Sequence, residues 1–172
     1  MKKLLIISST KRSNFDLSIK IKDYIKAKEI FICEVVSLED FDLPLYTPTL
    51  EEKYKTDNSF PGGITKIKDL ICSSNAMIWC SPEYNGGISP ILTNAIAWIS
   101  RATKDWKEGF DKKNSLICTS SGGNGKNYVK GFSMQLNYLG SVVFDKSIIK
   151  TSSKEFDDKE FSDILNDFCS NL

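Results

Sequence analysis

Short, continuously apolar runs alternate along this chain with longer stretches in which apolar residues recur every three or four positions. Leu4–Ile7 is the first such run, and its lack of polar alternation is what a strand covered on both faces requires. From about Phe15 to Lys26, Leu17, Ile21, Tyr24 and Ile25 recur with helical period. The pattern then predicts a strand over Ile30–Val36, a helix over Ile64–Ser74, a strand over Ala76–Cys80 and a helix over Pro90–Arg101. Leu116–Cys118 predicts a fourth strand, followed by a helix carrying Tyr128, Val129, Phe132, Leu136 and Leu139. Val142–Phe144 predicts a short fifth strand. The last helix opens on a capping-box pattern, Asp157 to Glu160, and buries Phe161, Ile164, Leu165 and Phe168.

Five strands alternating with five helices imply an α/β fold, with a parallel sheet, right-handed crossovers and helices on both faces. In such a sheet ligands bind beyond the carboxyl ends of the strands, where the strand order reverses. The segments following the first, third and fourth strands are therefore the ones in which chemistry is expected. Leu38–Gly63, with Pro44, Pro48, Pro61, Gly62 and Gly63, predicts one long irregular loop. At 172 residues the chain suits a single domain.

After the first strand, Ser8-Ser9-Thr10-Lys11-Arg12-Ser13-Asn14 leads directly into a helix. Hydroxyls, backbone N–H groups and two cations at a helix N-terminus suit a phosphate, and a polar turn with a capping serine would use the same residues. Neither G-x-x-x-x-G-K-[ST] nor G-x-G-x-x-G follows that strand, so neither a P-loop nor a dinucleotide fingerprint is present. After the third strand, Ser81-Pro82-Glu83-Tyr84-Asn85-Gly86-Gly87-Ile88-Ser89-Pro90 contains residues that tolerate positive φ. Ser89 and Pro90 then suit the N-cap and N1 positions of the next helix. Taken alone, this segment reads as a strand-to-helix connector. After the fourth strand, the small residues of Thr119-Ser120-Ser121-Gly122-Gly123-Asn124-Gly125 allow close approach to the backbone.

Composition narrows the chemistry. There is no histidine, which excludes Ser-His-Asp and Cys-His catalysis and any imidazole metal site. The five cysteines are scattered with no C-x-x-C pair, so they read as reduced thiols, with Cys33, Cys80 and Cys118 inside apolar strand runs. Lys plus Arg number 23 against 22 for Asp plus Glu, without the basic excess of a nucleic-acid binder. No apolar stretch approaches the roughly 20 residues that cross a bilayer, and Leu4–Ile7 is too short for a signal-peptide core, so a cytoplasmic location is expected.

The segment Ser81–Arg101 resembles the signature of the NADPH-dependent FMN reductases, a family that includes quinone, chromate and azo-dye reductases. Pro82-Glu83-Tyr84-Asn85, Pro90, Leu92, Asn94-Ala95-Ile96, Trp98 and Ser100-Arg101 all stand in register with it. Leu43-Pro44-Leu45-Tyr46, the Ser-Ser-Gly-Gly turn and Leu139-Gly140 are similar to the family too. The resemblance implies a flavodoxin-like three-layer sandwich with a five-stranded parallel sheet of order 2-1-3-4-5. It implies FMN as cofactor and NADPH or NADH as reductant, with hydride passing through the flavin to a small-molecule acceptor. Ser9, Lys11, Asn14, Phe15 and Asp16 would surround the phosphate and ribityl chain. Pro82, Glu83, Tyr84, Asn85 and Gly86 would line the isoalloxazine, and Ser120, Gly122 and Gly123 its other edge. No side chain need act as a catalytic acid or base. In the first loop the family pattern resembles G-S-x-R-x-x-S; here Ser8, Lys11 and Asn14 replace the glycine, the arginine and the last serine. Lysine keeps the charge without the bidentate fork, and Arg12 is a second candidate for it.

Two other functions fit the same fold. A one-electron flavodoxin-type carrier would be strongly acidic, and this chain is not. A receiver-like signalling domain would need acidic residues where Ser8-Ser9 and Ser81-Pro82 stand. The helix Pro90–Arg101 has an apolar stripe of Leu92, Ala95, Ile96 and Ile99, with Ile91 and Trp98 displaced from its centre. That second apolar face, together with the resemblance, predicts a homodimer or homotetramer with this helix in the interface. The alternative is that Leu38–Gly63 or Trp106 covers Ile91 and Trp98 within one chain.

Overall fold

The computed structural model describes residues 1–152 and 156–172. Its main sheet joins β1 (Lys2–Ser8), β2 (Phe31–Ser37), β3 (Ala76–Cys80), β6 (Asn114–Ser121) and β7 (Val142–Thr151) in the order β2-β1-β3-β6-β7, all parallel. This is the expected order 2-1-3-4-5 with main-sheet strands counted in sequence. A two-stranded antiparallel hairpin, β4 (Glu83–Tyr84) and β5 (Gly87–Ile88), stands apart from it. The helices are α1 (Ser13–Lys26), α2 (Pro48–Thr56), α3 (Gly62–Ser73), α4 (Pro90–Ala102), α5 (Lys126–Tyr138) and α6 (Asp158–Ser170).

The apolar runs sort themselves by the strand's two-residue period. Leu5, Ile7, Met77, Trp79 and Ile117 point to one face, where they meet α3, α4 and α5 through Ile67, Ile71, Ile96, Ile99, Phe132 and Leu136. Leu4, Ile6, Ile78, Cys80, Leu116 and Cys118 point to the other, against α1 and α6. All five residues of β3 are buried, as its central place demands. The order reverses between β1 and β3, so their carboxyl ends open the crevice in which such sheets take ligands.

Three expected boundaries move. β6 runs on to Ser121 and β7 to Thr151, because the polar stretch Thr119-Ser120-Ser121 still pairs with Ile149-Lys150-Thr151. The extra length of β7 is obscured in the sequence by Asp145-Lys146, which lies in a bulge where Ser115 and Ile117 of β6 face Val143 and Ser147. As an edge strand, β7 can carry exposed charges there. Leu38–Gly63 is not one irregular loop: it holds a 3-10 turn at Leu38–Asp40, then α2, and the start of α3. Thr47 caps α2 by accepting from the Leu50 N–H, with Pro48 in the first turn. Of the three cysteines placed in strands, Cys80 and Cys118 are buried, but Cys33, on the edge strand β2, is only partly so.

The same segment covers α4. Trp98 is fully buried and its indole N–H donates to the Pro44 carbonyl at 2.6 Å. Asn94 donates to that carbonyl at 3.0 Å and accepts the Tyr46 N–H at 2.8 Å, so the strap Leu43–Tyr46 is tied to the helix by its backbone. Tyr46, Tyr54 and Phe60 pack their rings on Trp98. At its outer edge Glu51 accepts from the Tyr46 hydroxyl at 2.5 Å and from Lys55 at 2.6 Å. Those two bonds hold the Glu51 carboxyl below its ordinary range, and the first raises the Tyr46 pKa. Trp98 is therefore covered inside the chain and supplies no reason for an oligomer, while Ile91, its partner on that face, is only partly buried against the core.

Trp98→Ala should cost about 3–5 kcal/mol in urea unfolding, the usual range for truncating a buried aromatic. Trp98→Phe should cost less, since it keeps ring contact and loses mainly the indole donor. Wild-type stability in Trp98→Ala would mean that the strap does not depend on this anchor.

Candidate flavin site

Three strands end side by side, and most of the polar residues at their ends are buried. Ser8, Ser9, Ser81, Thr119 and Ser120 are all inaccessible or nearly so. A buried polar group without a partner costs free energy comparable to a lost hydrogen bond, so these ends must satisfy one another. The strand ladder continues beyond the strands: the Ser9 N–H donates to the Cys80 carbonyl at 2.9 Å and the Ser81 N–H to the Cys118 carbonyl at 3.1 Å. A chain of hydroxyls crosses the gap, Ser9 Oγ to Ser81 Oγ at 2.9 Å and Ser81 Oγ to Ser89 Oγ at 2.8 Å.

Asn14 makes the longest-range tie. Its side-chain amide donates to the Ser120 carbonyl and accepts the Ser120 N–H, both at 2.8 Å, across 106 residues of sequence. Asn14 and Ser9 thus face into the protein, where they fix the first loop to the ends of β3 and β6. Phe15 and Asp16 lie in the first turn of α1, their N–H groups bonded back to the Arg12 carbonyl at 2.7 and 3.2 Å. Phe15 is half-buried and Asp16 exposed.

The start of α1 has no side-chain cap: Arg12 stands at the N-cap without such a bond. The Phe15 and Asp16 N–H groups already have the Arg12 carbonyl, while those of Ser13 and Asn14 have no partner among the described residues, and such free N–H groups at a helix start favour an anion. Arg12 is exposed and forms no ion pair among the described residues. Lys11 is also exposed, but its ammonium pairs with Asp40, and its backbone N–H donates to Glu39 Oε1 at 3.0 Å. The hydrogen bond to Asp40 raises the Lys11 pKa above its ordinary value.

After β3, Pro82 is buried and the chain turns out into the β4–β5 hairpin. Asn85 and Gly86 form its two-residue loop with φ of 50° and 71°. Two consecutive positive φ values are what the right-handed twist of a tight hairpin asks for, and Asn-Gly is the pair best able to adopt them. Tyr84, Asn85 and Gly86 are exposed at the tip. Glu83 faces elsewhere: its carboxylate accepts the Asn127 and Tyr128 N–H groups at 2.9 and 3.0 Å, which caps α5 from 44 residues away. It pins the hairpin to that helix.

After β6, no atom of the described residues lies within 4 Å of where a Cβ on Gly122 would stand, and a Cβ on Gly123 would lie 3.6 Å from Glu83 Oε1. The Gly122 carbonyl accepts from Ser152 Oγ at 2.9 Å. Nearby, the Thr119 hydroxyl is buried without a hydrogen-bond partner among the described residues, and the Tyr128 hydroxyl is buried close to Ser81. Burial also pushes the Tyr128 pKa well up.

Ser9, Asn14, Pro82, Glu83 and Ser120 are therefore tied into the rim by hydrogen bonds, and Gly123 lies beside Glu83. Tyr84, Asn85, Gly86 and Gly122 are left open upon it, and Lys11 is turned aside to Asp40. The sequence reading missed Glu39, Asp40, Ser81, Ser89 and the start of α5 as parts of this assembly. Each reaches its partner across many residues, and no local motif marks such a pairing.

Sheet order and rim together define a flavodoxin-like α/β protein whose three loops gather at the carboxyl ends of β1, β3 and β6. Residues 1–154 match the model of the NADPH-dependent FMN reductase family, and the chain belongs to that family. It is 32% identical over 84 residues to a probable NADPH:quinone oxidoreductase of Oryza sativa subsp. japonica, covering 49% of this chain and 37% of that one. It is 31% identical over 117 residues to an NADPH:quinone oxidoreductase of Arabidopsis thaliana, covering 65% of this chain and 56% of that one. The matched segments span less than two thirds of either relative's length. The solved structure of FerB, a flavoenzyme NAD(P)H:(acceptor) oxidoreductase from Paracoccus denitrificans, superposes with a TM-score of 0.76 at 18% identity, covering 99% of this chain and 94% of that one.

Asn14→Leu leaves the Ser120 N–H and carbonyl buried and unpaired, and should destabilise the protein by about 1–3 kcal/mol per group. Chemical denaturation monitored by far-UV circular dichroism measures this. A loss near zero would mean that the tie between the first loop and β6 carries no weight.

Proposed function

We propose that this protein is an NAD(P)H-dependent reductase that holds FMN on the rim and passes hydride to a small acceptor such as a quinone, free flavin, azo compound or metal oxyanion. The observation that carries this reading is the uncapped start of α1, with Lys11 and Arg12 beside it, at the same sheet edge as an open glycine turn. By contrast the N-terminus of α5 is already occupied by the Glu83 carboxylate, which leaves α1 as the place for a phosphate.

The residues fit the group. The α1 N–H groups, Lys11 and Arg12 would hold the phosphate. The backbone of Pro82–Gly86 would meet one edge of the flavin ring, and Ser120 and Gly122–Gly123 the other. Bound FMN supplies the hydride chemistry itself, so the protein contributes placement and electrostatics. Backbone N–H groups along Pro82–Gly86 would offset negative charge on the reduced ring. This requires no titrating side chain, consistent with a chain that lacks histidine. The net charge of +1 favours a reductase over a one-electron carrier, which docks through a strongly acidic surface.

The purified protein should bind FMN and oxidise NAD(P)H without a partner protein. Asn85→Leu and Gly86→Val should slow flavin reduction or abolish flavin binding with little change in circular dichroism, since a β-branched residue tolerates the φ of 71° at Gly86 poorly. Wild-type activity in both variants would remove the hairpin from the site.

A homodimer or homotetramer belongs to the same proposal, now resting on a different surface. Between α4 and α5, Ala97, Arg101, Trp106, Gln135 and Tyr138 line a groove, with the rings of Trp106 and Tyr138 exposed and 5.3 Å apart. A second copy burying those rings would explain two aromatics in water on one face. Wild type should sediment above monomer mass at micromolar concentration and Tyr138→Glu as a folded monomer; a monomeric wild type overturns this.

A further inference from the structure

The first loop already holds anions of the protein's own. Glu39 Oε1 accepts the Lys11 N–H at 3.0 Å, and the Asp40 carboxylate pairs with the Lys11 ammonium. Both acids come from the 3-10 turn that follows β2, and Ser37 Oγ fixes that turn by accepting the Glu39 N–H at 3.3 Å. The turn is anchored below by Leu38 and Phe41, both in the core, so the two carboxylates are presented from a packed element. One acid takes a backbone donor and the other the side-chain cation, which is the pair of contacts an incoming phosphate would seek at this residue.

We infer that Glu39 and Asp40 are an internal counter-anion of the first loop, which keeps FMN affinity low enough for the flavin to exchange with solution. The inference rests on the phosphate being held at this loop, as proposed above. A phosphate ester approaching Lys11 must displace Asp40 from the ammonium and then tolerate two nearby negative charges. The Lys11–Asp40 pair is half-exposed on both sides, so displacing it costs little and the loop is not closed. What remains is repulsion between carboxylates and phosphate, moderate in high dielectric and weakened by salt. Arg12, without an ion pair among the described residues, gives the phosphate its first attraction. The result is a site that selects for the phosphate yet releases it.

The charge can be removed with little change of shape. Glu39→Gln keeps a side-chain carbonyl oxygen to accept the Lys11 N–H, and Asp40→Asn keeps the size of the side chain it replaces. Fluorescence titration of the whole chain with FMN, and with riboflavin as the phosphate-free control, should give about 3- to 10-fold tighter FMN binding in Glu39→Gln/Asp40→Asn at low ionic strength. Riboflavin affinity should stay unchanged, and the FMN gain should shrink at high salt and persist in a Lys11→Ala background, where the carboxylates repel the phosphate without a cation between them. If Lys11→Ala weakens FMN binding but the double variant leaves it unchanged, or shifts FMN and riboflavin equally, the counter-anion is refuted while the phosphate assignment stands. If none of Lys11→Ala, Arg12→Ala and the double variant alters FMN affinity relative to riboflavin, the phosphate assignment itself fails and this inference falls with it.

Discussion

The constraint on which this structure turns is the burial of three strand ends. β1, β3 and β6 finish next to one another beneath the loops, and their terminal serines and threonine are cut off from water. Most polar atoms placed there find partners in each other, the Thr119 hydroxyl finding none among the described residues. The solution is a set of ties across the gaps: the Ser9–Ser81–Ser89 hydroxyls, the ladder bonds from Ser9 and Ser81, and the two-way amide bond of Asn14 with Ser120. Each tie joins loops far apart in sequence, so each loop's position depends on the others. The rim is held in place because its buried polar atoms have no water to turn to.

That need also divides the roles among residues at the rim. Ser9, Asn14 and Glu83 serve construction, and their polar groups are already paired within the protein. Tyr84, Asn85 and Gly86 at the hairpin tip and Gly122 in the glycine turn stay exposed.

On the helix side the same constraint appears in apolar form. α4 presents more hydrophobic surface than the sheet can cover, and the strap from Leu43 to Tyr46 with α2 closes over the excess. Pro44 matters there through its carbonyl, which takes both the Trp98 indole N–H and the Asn94 amide. Glu51, gathering Tyr46 and Lys55 with Arg101 3.8 Å away, fastens the outer side of that cover by charge. The strap and the acidic turn of Glu39 and Asp40 belong to one continuous stretch after β2, so a single connection both covers α4 and faces the first loop.

The layers, the strand order through its family signature, and the location of the loops were all legible in the amino-acid sequence, because they follow from local period and from turn chemistry. A short continuous apolar run such as Ala76–Cys80 suits a strand covered on both faces, and Asn85-Gly86 suits a tight turn with positive φ. Composition also limited the chemistry, since a chain without histidine has no Ser-His-Asp or Cys-His catalysis and no imidazole metal site. Which polar residues pair within the scaffold and which stay exposed was settled only by folding. Asn14 and Ser120, Glu83 and the start of α5, Lys11 and Asp40 are pairs formed by distant segments, and a residue's type does not reveal its partner. The length of β7 was hidden for a related reason: an edge strand tolerates Asp145 and Lys146 because one side of it meets water, so its hydropathy carries little signal. Trp98 looked like a surface for another molecule until Pro44 supplied an acceptor and Tyr46, Tyr54 and Phe60 supplied the packing. Burial is a property of the whole arrangement, and a helix pattern read alone shows that a face must be covered without showing what covers it.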